Sequence, residues 1–250
     1  FTIMKSTVNY LIAMFIHVSL LAQNQQELMY QAYLNRSSEQ WKKALEVAQK
    51  ESTANVGDAT KQMALAYAYF SLLNGSMAMP DDKLFDDHIS PAKKFIKKLV
   101  DENPKSGEAA AMLSSVYGNE IGKSPMKGML LGSKSSSLAE KGILFAPNSA
   151  LAWSVYASNK FYTPTLFGGD LQEAIKGWEK TIQLSQAQPA TLKNNWLYLT
   201  AMVSLGQAYH KAGNRDKAIA TYQQALVVEP QFYYAKMLLE KVSNSNSEKK

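Results

Sequence analysis

The chain contains no cysteine. That excludes disulfides, thiolate metal sites, a cysteine nucleophile and an anchor of acylated cysteine. Histidine is nearly as scarce. His17, His88 and His210 are the three, and no two have the spacing of a metal-binding pair. Without cysteine and with isolated histidines, a nucleophilic triad has little to be built from. No catalytic residue, metal ligand or cofactor site is expected. No stretch alternates polar and apolar residues with the period of two that a half-buried strand needs. The net charge of +6 rests on dispersed lysines with no arginine-rich stripe, so nucleic acid is not an expected partner.

What remains is apolar residues, 46% of 250 positions, enough for one or two domains with a real core. The N-terminus is organised differently from the rest. Lys5 gives a short positive start, Val8 to Leu21 is largely apolar, and Ala22 precedes the polar run Gln23-Asn24-Gln25-Gln26. This is the layout of a secretory signal peptide, and the apolar run is shorter than the roughly 20 residues a spanning helix needs. Residues 1–22 are expected to be cleaved on export to the periplasm or medium, with no stable membrane insertion afterwards. An uncleaved N-terminal anchor is the alternative, and Phe1-Thr2-Ile3 reads as sequence upstream of the initiator. Residues 1–22 hold one lysine and no acid, so the remainder carries +5. The polar stretch 244–250 reads as a disordered tail, which leaves residues 23–243 for the folded body.

That body repeats. Gly206, Tyr209, Ala218, Tyr222, Ala225 and Pro230 set a register of small residues, aromatics and a closing proline. Weaker copies run back along the chain: Trp153, Tyr156, Ala157, Ala174 and Trp178; Leu113, Ser114, Tyr117, Ala139, Gly142 and Pro147; Leu65, Ala66, Tyr69, Ala92, Ile96 and Pro104; Ala32, Ala44 and Ala48. The small residue of each copy falls at 32, 66, 114, 157 and 206, giving spacings of 34, 48, 43 and 49. The three longer spacings coincide with Asn74–Ile89, Asn119–Ser137 and Gln186–Asn195, whose Gly, Pro and polar content reads as loops or extended helix ends. Small side chains let two helices touch, and the aromatics fill the space between units. No unit buries its apolar face alone, so several must stack.

Over residues 25–242 this pattern resembles the tetratricopeptide (TPR) family, whose usual period is about 34 residues. The resemblance implies an all-α, right-handed α-solenoid of about five helix-turn-helix repeats, closed by a capping helix after Pro230. Ile121–Gly128 and Tyr162–Gly169 are similar to segments of exported TPR proteins of Bacteroidetes-type bacteria, which implies an envelope location. TPR proteins that grip a peptide carboxylate place asparagine one residue after the small position. Tyr33, Tyr67, Ser115, Ser158 and Gln207 stand there instead, so that mode is not expected.

Three local features invite a site and read more simply as structure. Gly128–Ser135 approaches a phosphate-binding loop, but only three residues separate its glycines, Ser133 stands between Gly132 and Lys134, and no strand precedes it. It reads as a flexible loop between helices. Asp81, Asp82, Asp86, Asp87 and His88 lack the spacing of a calcium loop and read as solvated, helix-capping residues of an inserted loop. Phe167-Gly168-Gly169-Asp170 reads as a turn whose aspartate caps the next helix. The candidate binding surface is the inner face of the first helix of each repeat: Met29, Tyr33, Met63, Tyr67, Phe70, Ser154, Ser158, Phe161, Val203, Gln207 and His210. Aromatics and methionine give contact area at low entropic cost. A non-catalytic scaffold holding a peptide or protein partner in that groove is expected. The alternative is a transport-accessory or small-molecule-binding protein whose pocket is roofed by the insertions.

Overall fold

The computed structural model describes residues 25–80 and 82–244. The candidate signal segment and all but the first residue of the polar tail lie outside the described residues. Eleven α-helices follow one another, with no strand among the described residues. They are α1 (residues 25–35), α2 (Ser38–Ala54), α3 (Ala59–Ser76), α4 (Lys83–Glu102), α5 (Gly107–Lys123), α6 (Gly128–Phe145), α7 (Ala150–Tyr162), α8 (Leu171–Gln186), α9 (Trp196–Lys211), α10 (Arg215–Val228) and α11 (Tyr233–Asn244). Each odd-numbered helix from α3 to α9 pairs with the even-numbered one after it, and α11 packs on α10.

The helix starts are written in the sequence. Asp58 accepts from the backbone N–H of Thr60 and Lys61, Ser149 from Ala152, Asp170 from Gln172 and Glu173, and Asn195 from Tyr198. Each satisfies donors that a helix leaves unpaired in its first turn. Within pairs the small residues do what the repeat requires. Ala66, Ala157, Ala174 and Ala218 are fully buried. A Cβ on Gly177 would stand 2.8 Å from the Cβ of Ala157, so α7 and α8 meet there at backbone distance. Trp178 and Tyr222, each 1% exposed, fill the space beside these contacts.

Two expectations are corrected. Gly128–Ser135 is not a flexible loop but the first two turns of α6, and Asp86, Asp87 and His88 lie in α4 rather than in an inserted loop. The extra residues at Asn74–Ile89 and Asn119–Ser137 lengthen the helices: α3 to α6 run 18, 20, 17 and 18 residues. Ser135, 3% exposed, packs α6 against Ser114 of α5, so packing overrides the breaker composition. Gln186–Asn195 leaves the longest of these connections, with a short turn at Pro189–Thr191.

Odd-numbered helices also touch the next odd-numbered helix, while no two even-numbered helices make a substantial contact. The odd helices therefore line the inside of a curve and the even helices its outside. The curve brings the two ends of the array together. Gln26 Nε2 donates to the carbonyl of Lys193 at 2.8 Å, Asn194 donates to the Glu27 carboxylate, and the Tyr30 hydroxyl donates to Glu229 at 2.9 Å.

Candidate functional site

Trp196, in the first turn of α9, occupies the inside of the curve. Its ring centroid lies 5.8 Å from Tyr33, 5.9 Å from Trp41, 6.4 Å from Tyr67 and 5.9 Å from Phe70. Phe232 adds to the group, 5.5 Å from Tyr33. Trp196 is 3% exposed, so this is a plug of aromatic core contributed by both ends of the chain.

The plug sorts the eleven inner-face residues. Met29, Phe70, Ser154 and Val203 are buried in the core. Tyr33, Met63 and Tyr67 are half-buried and pack on the same cluster. Burial pushes the phenols of Tyr33 and Tyr67 well above the usual tyrosine range. Ser158, Phe161 and Gln207 keep part of their surface open, and His210 is exposed.

Phe161 and Gln207 stand on the neighbouring helices α7 and α9, where aromatic rings and a lysine gather. Phe161 meets Tyr162 edge-on at 5.0 Å, and the Lys211 ammonium sits 4.6 Å above the Phe161 ring. Gln207 Nε2 donates to the Tyr234 hydroxyl at 3.1 Å. Tyr162 is 71% exposed and Tyr234 39%. The surrounding protein, and after it Tyr234, nevertheless raises the Tyr162 phenol. Phe161, Tyr162 and Tyr234 give this surface aromatic contact area with a hydrogen-bonding edge beside the Lys211 ammonium. Sequence reasoning missed Tyr162, Lys211 and Tyr234. Lys211 follows Gln207 by one helical turn, which was a usable signal; Tyr234 sits on the capping helix, outside the repeat register.

α1, α3 and the segment before α9 border a half-open pocket of about 280 Å³. It is lined by neutral amides, Thr191, Met29, Ala64, Tyr67 and Trp196.

Asp170 caps α8, and Gly168 takes φ of 92° in the turn before it. Lys83 pairs with Asp87 at 2.9 Å, Lys123 pairs with Asp82, and the His88 ring meets the carbonyl of Leu84 at 2.8 Å. No cluster of potential metal ligands occurs among the described residues, nor a helix long and apolar enough to cross a membrane.

The family model described as tetratricopeptide repeat matches residues 201–232, the segment from which the register was read. No curated protein matches the chain. Among solved structures, a thermophilic TPR protein of Thermus thermophilus is similar with a TM-score of 0.59 and 18% identity, covering 88% of this chain and 98% of its own. The HusA haemophore of Porphyromonas gingivalis is similar with a TM-score of 0.56 and 19% identity, covering 76% and 93%. At these identities the likeness speaks for the fold. Residues 201–232 thus match the tetratricopeptide-repeat model, and the helix-pair architecture through the rest has the fold of tetratricopeptide-repeat proteins.

Proposed function

We propose that the protein is a non-catalytic scaffold of the bacterial envelope that binds a peptide or protein segment on the surface formed by α7, α9 and α11. The observation that carries this reading is the open aromatic surface on an inner face, with Tyr162 71% and Tyr234 39% exposed beside Phe161 and Lys211. Solenoids bind on such surfaces, and rigid aromatics lose little entropy when covered. Of the inner-face candidates, Ser158, Phe161, Gln207 and His210 stand at this surface, while Tyr33, Met63 and Tyr67 border it from the plug. The apolar stretch Val8–Leu21 supports export; intact mass of protein from the native envelope, short of residues 1–22, is the expected result.

A photo-reactive residue at Tyr162 is the direct test of this surface, with one at Lys98 on the exposed face of α4 as reference. The captured partner is then titrated against Phe161→Ala and against the double variant Asp86→Ala/His88→Ala. Loss of affinity in the first and not in the second is expected. The reverse result moves the function to α4. A second reading, a small flat ligand, is favoured by the aromatic rings beside Lys211 and by the fold shared with a haemophore. An absorbance titration with haem separates the two: a saturable spectral change lost in Phe161→Ala replaces the peptide reading.

A further inference from the structure

Five large apolar side chains stand almost free of the fold at one end of the helices. Met126 lies in the short turn before α6, Met129 and Leu130 in the first turn of α6, and Leu166 and Phe167 in the turn between α7 and α8. Each is between 72% and 89% exposed. The fold brings the two groups to the same end. Ser114 of α5, Ser135 of α6 and Asn159 of α7 meet at one level, through contacts of 3.2 and 3.3 Å. α6 and α7 pack side by side across a short connection, residues 146–149, and so run antiparallel. From the shared level α6 runs back to Leu130, about 8 Å of helix. α7 runs forward in the same direction to the turn that holds Leu166 and Phe167. None of the five lines the pocket beside Trp196 or the groove between α8 and α10. Side chains that anchor a protein partner tend to sit in well-packed pockets. Side chains that stand free at helix turns suit a fluid apolar phase, which needs no match of shape.

The charge around them fits the same occupant. Residues 121–139 and 157–169 carry Lys123, Lys127, Lys134 and Lys160 and no Asp or Glu. Acids reach in from other segments. Asp82 pairs with Lys123 and Glu140 with Lys160, while Asp170 caps α8. Glu120 is held by Lys93 at 2.7 Å and lies 3.8 Å from Lys127. Lys134 is exposed on α6 and has no acidic partner among the described residues. A positive excess at Lys127 and Lys134 therefore remains beside the apolar tips. Lysine meets headgroup phosphate and apolar tips meet the acyl boundary in proteins that lie on a bilayer. We propose that this end of the array docks reversibly on an anionic phospholipid surface, with Met126, Met129, Leu130, Leu166 and Phe167 entering the boundary between headgroups and acyl chains. No described helix is long and apolar enough to span a bilayer, so the contact is peripheral. It shares no residue with the surface of Phe161, Tyr162 and Tyr234, so failure of one reading leaves the other standing.

The test uses residues 23–250, which hold every described helix, because the apolar run before them would bind lipid by itself. The chain has no cysteine, so Leu130→Cys, Phe167→Cys and Val56→Cys each carry a single polarity-sensitive dye. Val56 is also strongly exposed, but it lies between α2 and α3 at the opposite end of the helices. The probes are vesicles of phosphatidylcholine alone and of phosphatidylcholine with phosphatidylglycerol in equal parts. With the mixed vesicles a blue shift is expected from the dyes at 130 and 167 and none from the dye at 56. Co-sedimentation with those vesicles is expected to fall about tenfold or more in Met129→Ser/Leu130→Ser and in Leu166→Ser/Phe167→Ser, and to weaken with added salt. An unchanged helical circular-dichroism spectrum and melting temperature show that both variants fold. No partition into the mixed vesicles overturns the proposal. So does partition that survives both double variants, or a shift at 56 equal to that at 130. Equal binding to phosphatidylcholine alone overturns the anionic partner. Self-association that the double variants abolish, without lipid binding, gives this end to a second copy of the chain instead.

Discussion

Gly206 is the sharpest point at which to test the fold. It is buried in α9, against α10. A Cβ built there would stand 2.8 Å from Cδ1 and Cζ of Tyr222 and closer still to Cε1. Tyr222 is 1% exposed, with its ring enclosed by the repeat, so it cannot swing away as a surface side chain would. Even Gly206→Ala must push α9 and α10 apart or turn the ring off its rotamer. Overpacking of this kind costs about 1–3 kcal/mol. The gain in helix propensity from glycine to alanine returns up to about 1 kcal/mol, leaving a net loss of roughly 1–2 kcal/mol. For an array of this size that is a fall of about 2–8 °C in melting temperature. Gly132 in α6 is the internal control, since a Cβ there meets nothing within 4 Å. Gly132→Ala is expected to leave the melting temperature unchanged or raise it. Thermal unfolding followed by circular dichroism compares the two. A Gly206→Ala variant as stable as Gly132→Ala would mean that α9 and α10 do not meet where the repeat register places them.

Trp196→Ala removes the centre of the aromatic plug, and a loss of about 3–5 kcal/mol is expected; hydrogen exchange should quicken in α1 and α9 more than in α5 and α6, and uniform exchange would refute a closure that rests on this residue. Stability should also fall at high pH. Burial, then Glu173, raises the Tyr156 phenol to about 12, and burial, then Tyr234, raises Tyr222 to about 12. A raised phenol favours the neutral form in the fold, so its stabilisation is complete below the unfolded value near 10 and is lost as pH climbs from there through the folded value. The urea midpoint is expected to hold between pH 7 and about 9.5 and to drop between about 10 and 12; a midpoint flat to pH 12 would place these phenols in contact with water.

Much of the fold was legible because each repeat states its own rule. Gly206, Ala157, Ala174 and Ala218 mark helix contacts, and Trp178 and Tyr222 mark what fills the space beside them. Those are short-range relations, and the sequence carries them at fixed spacing. The breaker composition of Asn119–Ser137 misled for a related reason. Gly128, Gly132 and Ser135 look like loop residues in isolation, yet Ser135 is 3% exposed and shares a hydroxyl contact of 3.2 Å with Ser114 on α5. Small polar residues at that point allow a close helix approach, as alanine does elsewhere, and tertiary packing decides the outcome over local propensity.

The inside of the curve was not legible in the same way. Met29, Tyr33, Met63, Tyr67 and Phe70 have the composition of a binding face, but in this structure Tyr33, Tyr67 and Phe70 pack against Trp196 from the far end of the chain. Whether an inner face stays open depends on how far the array turns over five helix pairs, a sum of small inter-helix angles that no single repeat encodes. The residues that lock the ends together, Gln26, Glu27, Tyr30, Asn194 and Glu229, are polar and unpatterned, so nothing in periodicity separates them from ordinary surface.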